Sequence, residues 1–280
     1  MSVLYSHIKL FRPLNVFTSG MAMVIASAIL GVLHEIDIVI SVMAVVICYT
    51  GAANALNDIV DAEIDLINCH LRPIPSGNVA KNTALVLSIL LFIVGTLFCL
   101  KLSGLAKIIG ILIAMPLMVL YSNYLKGMPL VGNITIAFIL GLSFLFCGAA
   151  FGQITSMLIP MILAFGLTFV RELIKDIADI EGDKSAGLKT FPITAGIDRA
   201  IQVTILLSVC IGIGAFIPFL NGIYGMWYGI LLILGIEIPL CVVVVSLLNK
   251  PGISSAIQGA RILKFSTIMG LIAIYAGSLS

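Results

Sequence analysis

Apolar runs long enough to cross a bilayer recur along nearly the whole chain, and they leave few folds open. A helix rising 1.5 Å per residue needs about 17–25 predominantly apolar residues to traverse about 30 Å of hydrocarbon. Runs of that kind lie at roughly 13–33, 36–56, 82–100, 105–122, 129–150, 154–173, 200–219, 224–248 and 257–278, separated by short polar gaps. Inside hydrocarbon the backbone must satisfy its own hydrogen bonds, so the runs predict an all-α polytopic membrane protein. The expected architecture is nine transmembrane helices bundled around a central cavity, in a single domain over residues 1–280. Pro116, Pro160, Pro218 and Pro239 fall inside these runs, where neighbouring helices can re-satisfy the freed backbone groups. The composition agrees, at 61% hydrophobic and 10% charged, against roughly half apolar in soluble domains.

A net charge of +2 gives no electrostatic footprint for a nucleic acid, and no obligate protein partner is indicated. The placement of the basic residues is more informative. Threading nine spans puts Lys9, Arg12, Arg72, Lys81, Lys126, Arg171, Lys175, Lys184, Lys189, Arg199 and Lys250 on one side, against Lys101 and Lys107 on the other. By the positive-inside rule the first side is cytoplasmic, with the N-terminus in. The expected location is the cell membrane. The first span is too long for a cleaved leader and is read as retained. Cys48, Cys69, Cys99, Cys147, Cys210 and Cys241 contain no CxxC pair and read as small buried side chains. His7, His34 and His70 are isolated and give no sign of a ligand set.

Six of the eight Asp residues fall in two groups, Asp58, Asp61 and Asp65, then Asp176, Asp179 and Asp183. Aligned, NDIVDAEID (57–65) and KDIADIEGD (175–183) share Asp, Ile, Asp, Glu and Asp at the same offsets. PIPSG (73–77) is echoed by PITAG (192–196). The pattern suggests a weak internal repeat of two helix-loop units, 51–80 and 169–198, of the kind that places a membrane protein's site between related halves. At about 100° per residue the three Asp of each group occupy an arc of about 60°. Asn54 and Asn57 lie on or beside the first stripe, Glu172 extends the second, and Glu63 and Glu181 point away.

Like charges three and four residues apart repel, and carboxylates at the edge of hydrocarbon need a partner. Hard divalent cations suit an all-oxygen site, and Mg²⁺ in particular is held by a few carboxylates together with waters and substrate phosphates. Solvated helix ends would explain one such stripe less well when spacing, face and membrane side are all duplicated. A cation transporter would place its carboxylates near mid-span, whereas these are at helix ends. The DG-AR-G-D-D run of CDP-alcohol phosphotransferases is absent.

In these motifs the sequence resembles the UbiA superfamily of intramembrane prenyltransferases, with its NDxxDxxxD motif after the second helix and DxxDxxxD after the sixth. They read here as Asn57-Asp58-Ile59-Val60-Asp61-Ala62-Glu63-Ile64-Asp65 and Asp176-Ile177-Ala178-Asp179-Ile180-Glu181-Gly182-Asp183. RPIPSG (72–77), YSNYLKG (121–127) and KTFPITAG (189–196) extend the resemblance along the chain. It implies an enzyme that binds an isoprenyl diphosphate through Mg²⁺ and transfers the prenyl group to a lipophilic acceptor drawn from the membrane. Asn57, Asp61, Asp179 and Asp183 match the family's most constant positions and are the expected catalytic residues. Asp58, Asp65 and Asp176 are expected beside them as metal ligands, directly or through water.

Arg72 and Lys126 are then expected on the diphosphate, with Tyr121 near the cation formed when it leaves. Arg12 and Asn15 are expected at the acceptor, and Lys175 and Lys184 flank the second stripe. RPIPSG, the short chain and the Ile-rich composition look most like the family's archaeal ether-lipid branch. That implies transfer of a geranylgeranyl group to the hydroxyl of geranylgeranylglyceryl phosphate. The alternative acceptor is an aromatic such as 4-hydroxybenzoate or a quinone precursor, for which a single Trp offers no strong stacking platform.

Overall fold

The computed structural model describes residues 3–68 and 71–279, and among these every regular element is helical. A short α1 (Val3–Leu10) leads into α2 (Pro13–Ile29), α3 (Ile36–Val60) and α4 (Ala62–Asn68). The spans α5 (Lys81–Cys99), α6 (Gly104–Leu125), α7 (Val131–Ala150) and α8 (Ile154–Ala178) follow. Two short helices, α9 (Ile180–Ser185) and α10 (Phe191–Ala195), precede α11 (Ile197–Leu220), α12 (Met226–Asn249) and α13 (Ile253–Ser278). Eight of these helices are long and apolar enough to cross a membrane, and α2, at 17 residues, is the shorter apolar helix that completes the nine runs seen in the sequence.

The main differences from the expected spans are at the acidic ends. α3 continues to Val60 and α8 to Ala178, each several residues beyond its apolar run, so the acids emerge from the last turns of long helices. Prolines inside the spans do not end them. Residues Ile108–Ala114 and Ile233–Glu237 form π-helical turns that stop two residues before Pro116 and Pro239. Proline lacks an N–H and crowds the carbonyl four residues back, and a widened turn just ahead of it absorbs both effects.

The chain forms two compact units, 1–126 with 142–157 and 127–141 with 158–280. In the first, α3 packs against α2 and α5. Tyr49 of α3 is buried, stacks obliquely on Phe92 at 5.6 Å and shares a 2.9 Å hydrogen bond with Thr96. Ser88 donates to the Ala52 carbonyl at 2.9 Å. Gly95 lets the two helices approach, since a Cβ there would lie 2.7 Å from the Tyr49 ring. That ring is pinned at both ends, so Gly95→Ala should cost about 1–3 kcal/mol by overpacking, measurable as a lower thermal midpoint in detergent.

In the second unit, Leu167, Val170, Ile174 and Ile177 of α8 pack with Ile201 of α11, Val243 and Leu247 of α12 and Leu263 of α13. Lipid tails are as apolar as these side chains, so close van der Waals fit holds the helices together. Glu237 is a carboxylate well inside a span and outside the acidic motifs. Glu237 ends the π turn of α12 against Gly212, where a Cβ would be 2.7 Å from its Oε2. Its Oε1 is buried without a hydrogen-bond partner. Cys48, Cys99 and Cys147 are buried as expected, but Cys210 and Cys241 are exposed on α11 and α12, and all five are free thiols. Cys69 and His70 lie outside the described residues.

Candidate active site

The first acidic motif straddles a helix break. Asp58 is in the last turn of α3, Asp61 caps it, and Asp65 lies in α4. The break does not interrupt the helical phase, because Asp61 N donates to Asn57 O and Asp65 N to Asp61 O, each at 2.8 Å. All three Asp therefore stay on one face and are buried, at 2%, 5% and 5% exposure. Glu63, on the opposite face, has a side chain 89% exposed, as its offset requires.

Carboxylates this buried need partners, and three basic side chains provide them. Arg12 Nη2 donates to Asp58 Oδ1 at 2.6 Å. Arg72 Nη1 reaches Asp65 Oδ2 at 2.5 Å, Asp58 Oδ1 at 3.4 Å and Asp61 Oδ2 at 4.0 Å. Lys126 forms an ion pair with Asp61. Burial pushes the Asp65 carboxyl up from its ordinary range, and the neighbouring Asp61 and Asp58 add to that rise; Arg72 pulls it back down in part.

Local backbone structure aims these cations. Arg12 adopts the left-handed conformation, φ 52°, between α1 and α2. Such a residue costs about 1–3 kcal/mol and persists only when its surroundings hold it. Here its N–H donates to Lys9 O at 3.1 Å, its carbonyl accepts from Asn15 N at 2.8 Å, and Asn54 Nδ2 donates to the adjoining Phe11 O at 3.0 Å. Pro13 then starts α2, the position where its missing N–H costs nothing. Lys9 Nζ donates to Leu71 O at 3.0 Å, fastening α1 to the residue before Arg72. Lys126 follows a second π turn in α6, Tyr121–Leu125, and its N–H reaches back five residues to Tyr121 O at 3.0 Å. Tyr121 is buried at the start of that turn, and Asn15 is half-buried.

Asn57, Asp58, Asp61, Asp65, Arg12, Arg72, Lys126, Tyr121 and Asn15 all belong to the first unit. Among the described residues no three acidic, His or Cys side chains form a ready-made metal cage, and the first motif's carboxylates are paired with guanidinium and ammonium groups. The donors nevertheless suit a hard cation. They are all oxygen, and Asn57 Oδ1 is buried beside them with no hydrogen-bond partner.

The second motif belongs to the second unit and has the same backbone construction. Asp176 is in the last turn of α8, Asp179 precedes α9, and Asp183 lies within it. Asp179 N donates to Lys175 O and Asp183 N to Asp179 O, each at 2.9 Å. Asp176 Oδ2 accepts from Asn133 Nδ2 at 2.8 Å, Asp183 is half-buried, and Asp179 and Glu181 are exposed. Glu172 is buried, with Arg171 at 2.6 Å and Lys175 at 3.2 Å.

Asn133 was not legible as a site residue. It lies in the first turn of α7, just after Leu130, another left-handed residue at φ 61°. The only signal was a lone amide at the head of an apolar span. Asn133→Ala leaves Asp176 without its donor, which should cost about 1–3 kcal/mol. A chemical-denaturation midpoint below wild type checks this, and Asn133→Gln should restore part of the loss.

Comparison with known proteins gives one family throughout. The family model "UbiA prenyltransferase family" matches residues 14–259. The digeranylgeranylglyceryl phosphate synthase of Methanopyrus kandleri is 34% identical over 276 residues, 98% of this chain and 99% of that protein. The protein of the same name from Saccharolobus solfataricus is 37% identical over 227 residues, 80% and 79% of the two chains. A solved structure described as "Structural and mechanistic insights into the biosynthesis of Digeranylgeranylglyceryl phosphate synthase in membranes" superposes with a TM-score of 0.80. It is 30% identical and covers 100% of this chain and 99% of its own. A UbiA homolog from Archaeoglobus fulgidus, bound to DMAPP and Mg²⁺, shares the fold at a TM-score of 0.64 and 17% identity, covering 97% of each chain. With its membrane-spanning helices and paired acidic motifs, this multi-pass membrane protein belongs to the UbiA prenyltransferase family.

Proposed function

We propose that the protein transfers a geranylgeranyl group from geranylgeranyl diphosphate to the hydroxyl of geranylgeranylglyceryl phosphate, the ether-forming step implied by its similarity to digeranylgeranylglyceryl phosphate synthases. The observation that carries the reading is the buried set Asp58, Asp61 and Asp65, ringed by Arg12, Arg72 and Lys126. Asn57, Asp58, Asp61 and Asp65 would hold Mg²⁺ at the first motif, and Asp176, Asp179 and Asp183 at the second. Bound there, the metal supplies Lewis-acid neutralisation of the diphosphate.

The chain's own groups do the rest. Arg72 and Lys126 donate to phosphate oxygens and oppose the charge that develops as the allylic C–O bond breaks and diphosphate leaves with the electron pair. Tyr121 stands near the resulting allylic cation, and the apolar spans shield it from water. The acceptor oxygen then forms the new C–O bond, and its proton passes to diphosphate or a motif carboxylate. Arg12 and Asn15 would recognise the acceptor's phosphate, with the Arg12 guanidinium beside Asp58. The excess of basic residues on the motifs' side of the membrane supports a site facing the cytoplasm.

The test uses purified protein, Mg²⁺ and radiolabelled geranylgeranyl diphosphate, with geranylgeranylglyceryl phosphate and 4-hydroxybenzoate as competing acceptors. The ether lipid is the expected product. Product from the aromatic acid alone would overturn the acceptor assignment, and no Mg²⁺-dependent product from either would overturn the reaction.

A further inference from the structure

Two basic residues have no place in the site or in the loops. Arg261 and Lys264 lie within the membrane-spanning helix α13, Ile253–Ser278, 8 and 11 residues beyond its first residue. At 1.5 Å per residue that is about 12 and 16 Å into the span. Both are exposed, and so are Ile257, Gln258, Phe265 and Ile268. The opposite face, with Ser255, Ala256, Gly259, Leu263 and Ser266, is buried. At 100° per residue the exposed group covers an arc of about 120° centred near Arg261. The cations are therefore on the exposed face of a membrane-spanning helix.

No counter-charge is paired with them among the described residues, and no Asp or Glu follows Glu237 in the sequence. Being three residues apart on one helix, they also repel each other. Charges within a span are expensive unless they reach the interface or an anion. Helical side chains lean towards the N-terminus. Arg261 and Lys264 thus extend towards Gln258, whose amide adds neutral donors, and towards Lys250 at the head of the helix. Counting spans within the second unit, that head is at the same membrane side as the second acidic motif.

We propose that the exposed face of α13 around Gln258, Arg261 and Lys264 is a binding site for the phosphate headgroup of a membrane lipid. The guanidinium forks onto phosphate oxygens, the ammonium adds a point charge, and Ile257, Phe265 and Ile268 lie along the acyl chains. The site is independent of the catalytic reading, since it uses none of the same residues and requires no turnover.

Native mass spectrometry of the full-length protein in detergent tests it, with dioleoyl phosphatidic acid, dioleoyl phosphatidylcholine and inorganic phosphate as probes. Wild type should retain one phosphatidic acid saturably and in preference to phosphatidylcholine. Near an anionic surface each basic residue is worth roughly fivefold in affinity, so Arg261→Gln/Lys264→Gln should weaken retention by roughly 10–30-fold. Arg261→Lys/Lys264→Arg should keep most of it, which separates loss of charge from loss of fold, with circular dichroism as a further check. Wild-type-like retention by the Gln pair, or no saturable preference in wild type, overturns the proposal. Displacement of the lipid by equimolar inorganic phosphate overturns the lipid as occupant.

Discussion

Asp61→Ala and Asp183→Ala should each lower prenyl transfer by roughly 10²–10³-fold or more, the scale expected when one preorganised group facing developing charge is removed. The two substitutions reach that loss differently. Asp61 is 5% exposed and paired with Lys126, so its removal also frees an ammonium beside the remaining carboxylates. Asp183 is half-buried in a short helix, where truncation disturbs little packing. Single-turnover assays with geranylgeranyl diphosphate, alongside thermal melts, separate chemistry from folding. Substantial activity in either variant would refute the assignment of both motifs to the diphosphate. Asp61→Asn and Asp183→Asn keep the side-chain shape and should be nearly as inactive, because the charge is what the site uses.

The second large effect is expected at Arg72. Its guanidinium is the common partner of Asp58, Asp61 and Asp65. Arg72→Ala leaves buried carboxylates poorly compensated, a change that typically costs about 3–5 kcal/mol. The side chain is 32% exposed, so water recovers part of that and about 2–3 kcal/mol is the expected loss. The pH dependence has a definite sign. Burial already raises the Asp65 carboxyl, and losing Arg72 raises it further. A raised folded-state value favours the protonated form, so stability present in acid is lost as pH rises through that value. The thermal midpoint of Arg72→Ala should therefore fall, relative to wild type, as pH rises above about 4. Adding Asp65→Asn should restore stability without restoring transfer.

Much of the fold is legible because hydrocarbon thickness sets a length that apolar runs must match. Where charge begins, that criterion stops while the backbone does not, which is why α3 and α8 extend past their apolar runs into the acidic motifs. The phase of the first motif is also legible. Asp58, Asp61 and Asp65 share a buried face and Glu63 does not, because helical geometry continues through the break. Tertiary partners are a different matter. Arg12 and Asp58 are 46 positions apart, and Asn133 and Asp176 are 43 apart. Nothing local specifies either pair. Arg12 is expected at the acceptor from sequence, and the left-handed turn before Pro13 aims it at Asp58. Glu237 is silent for the same reason, as its setting depends on a π turn and on Gly212 of another helix.

The unbroken N–H ladder through Asp61 and Asp179 makes each motif a ruler rather than a word. Inserting or deleting one residue between Asn57 and Asp65 would turn every later carboxylate by about 100°, carrying Asp65 from the buried face towards the side where Glu63 now points. Exchanging Ile59, Val60, Ala62 or Ile64 for another helix-forming residue keeps the count. Variation in this segment should therefore run through letter changes at constant length, with gaps confined to the loops beyond α4 and α9.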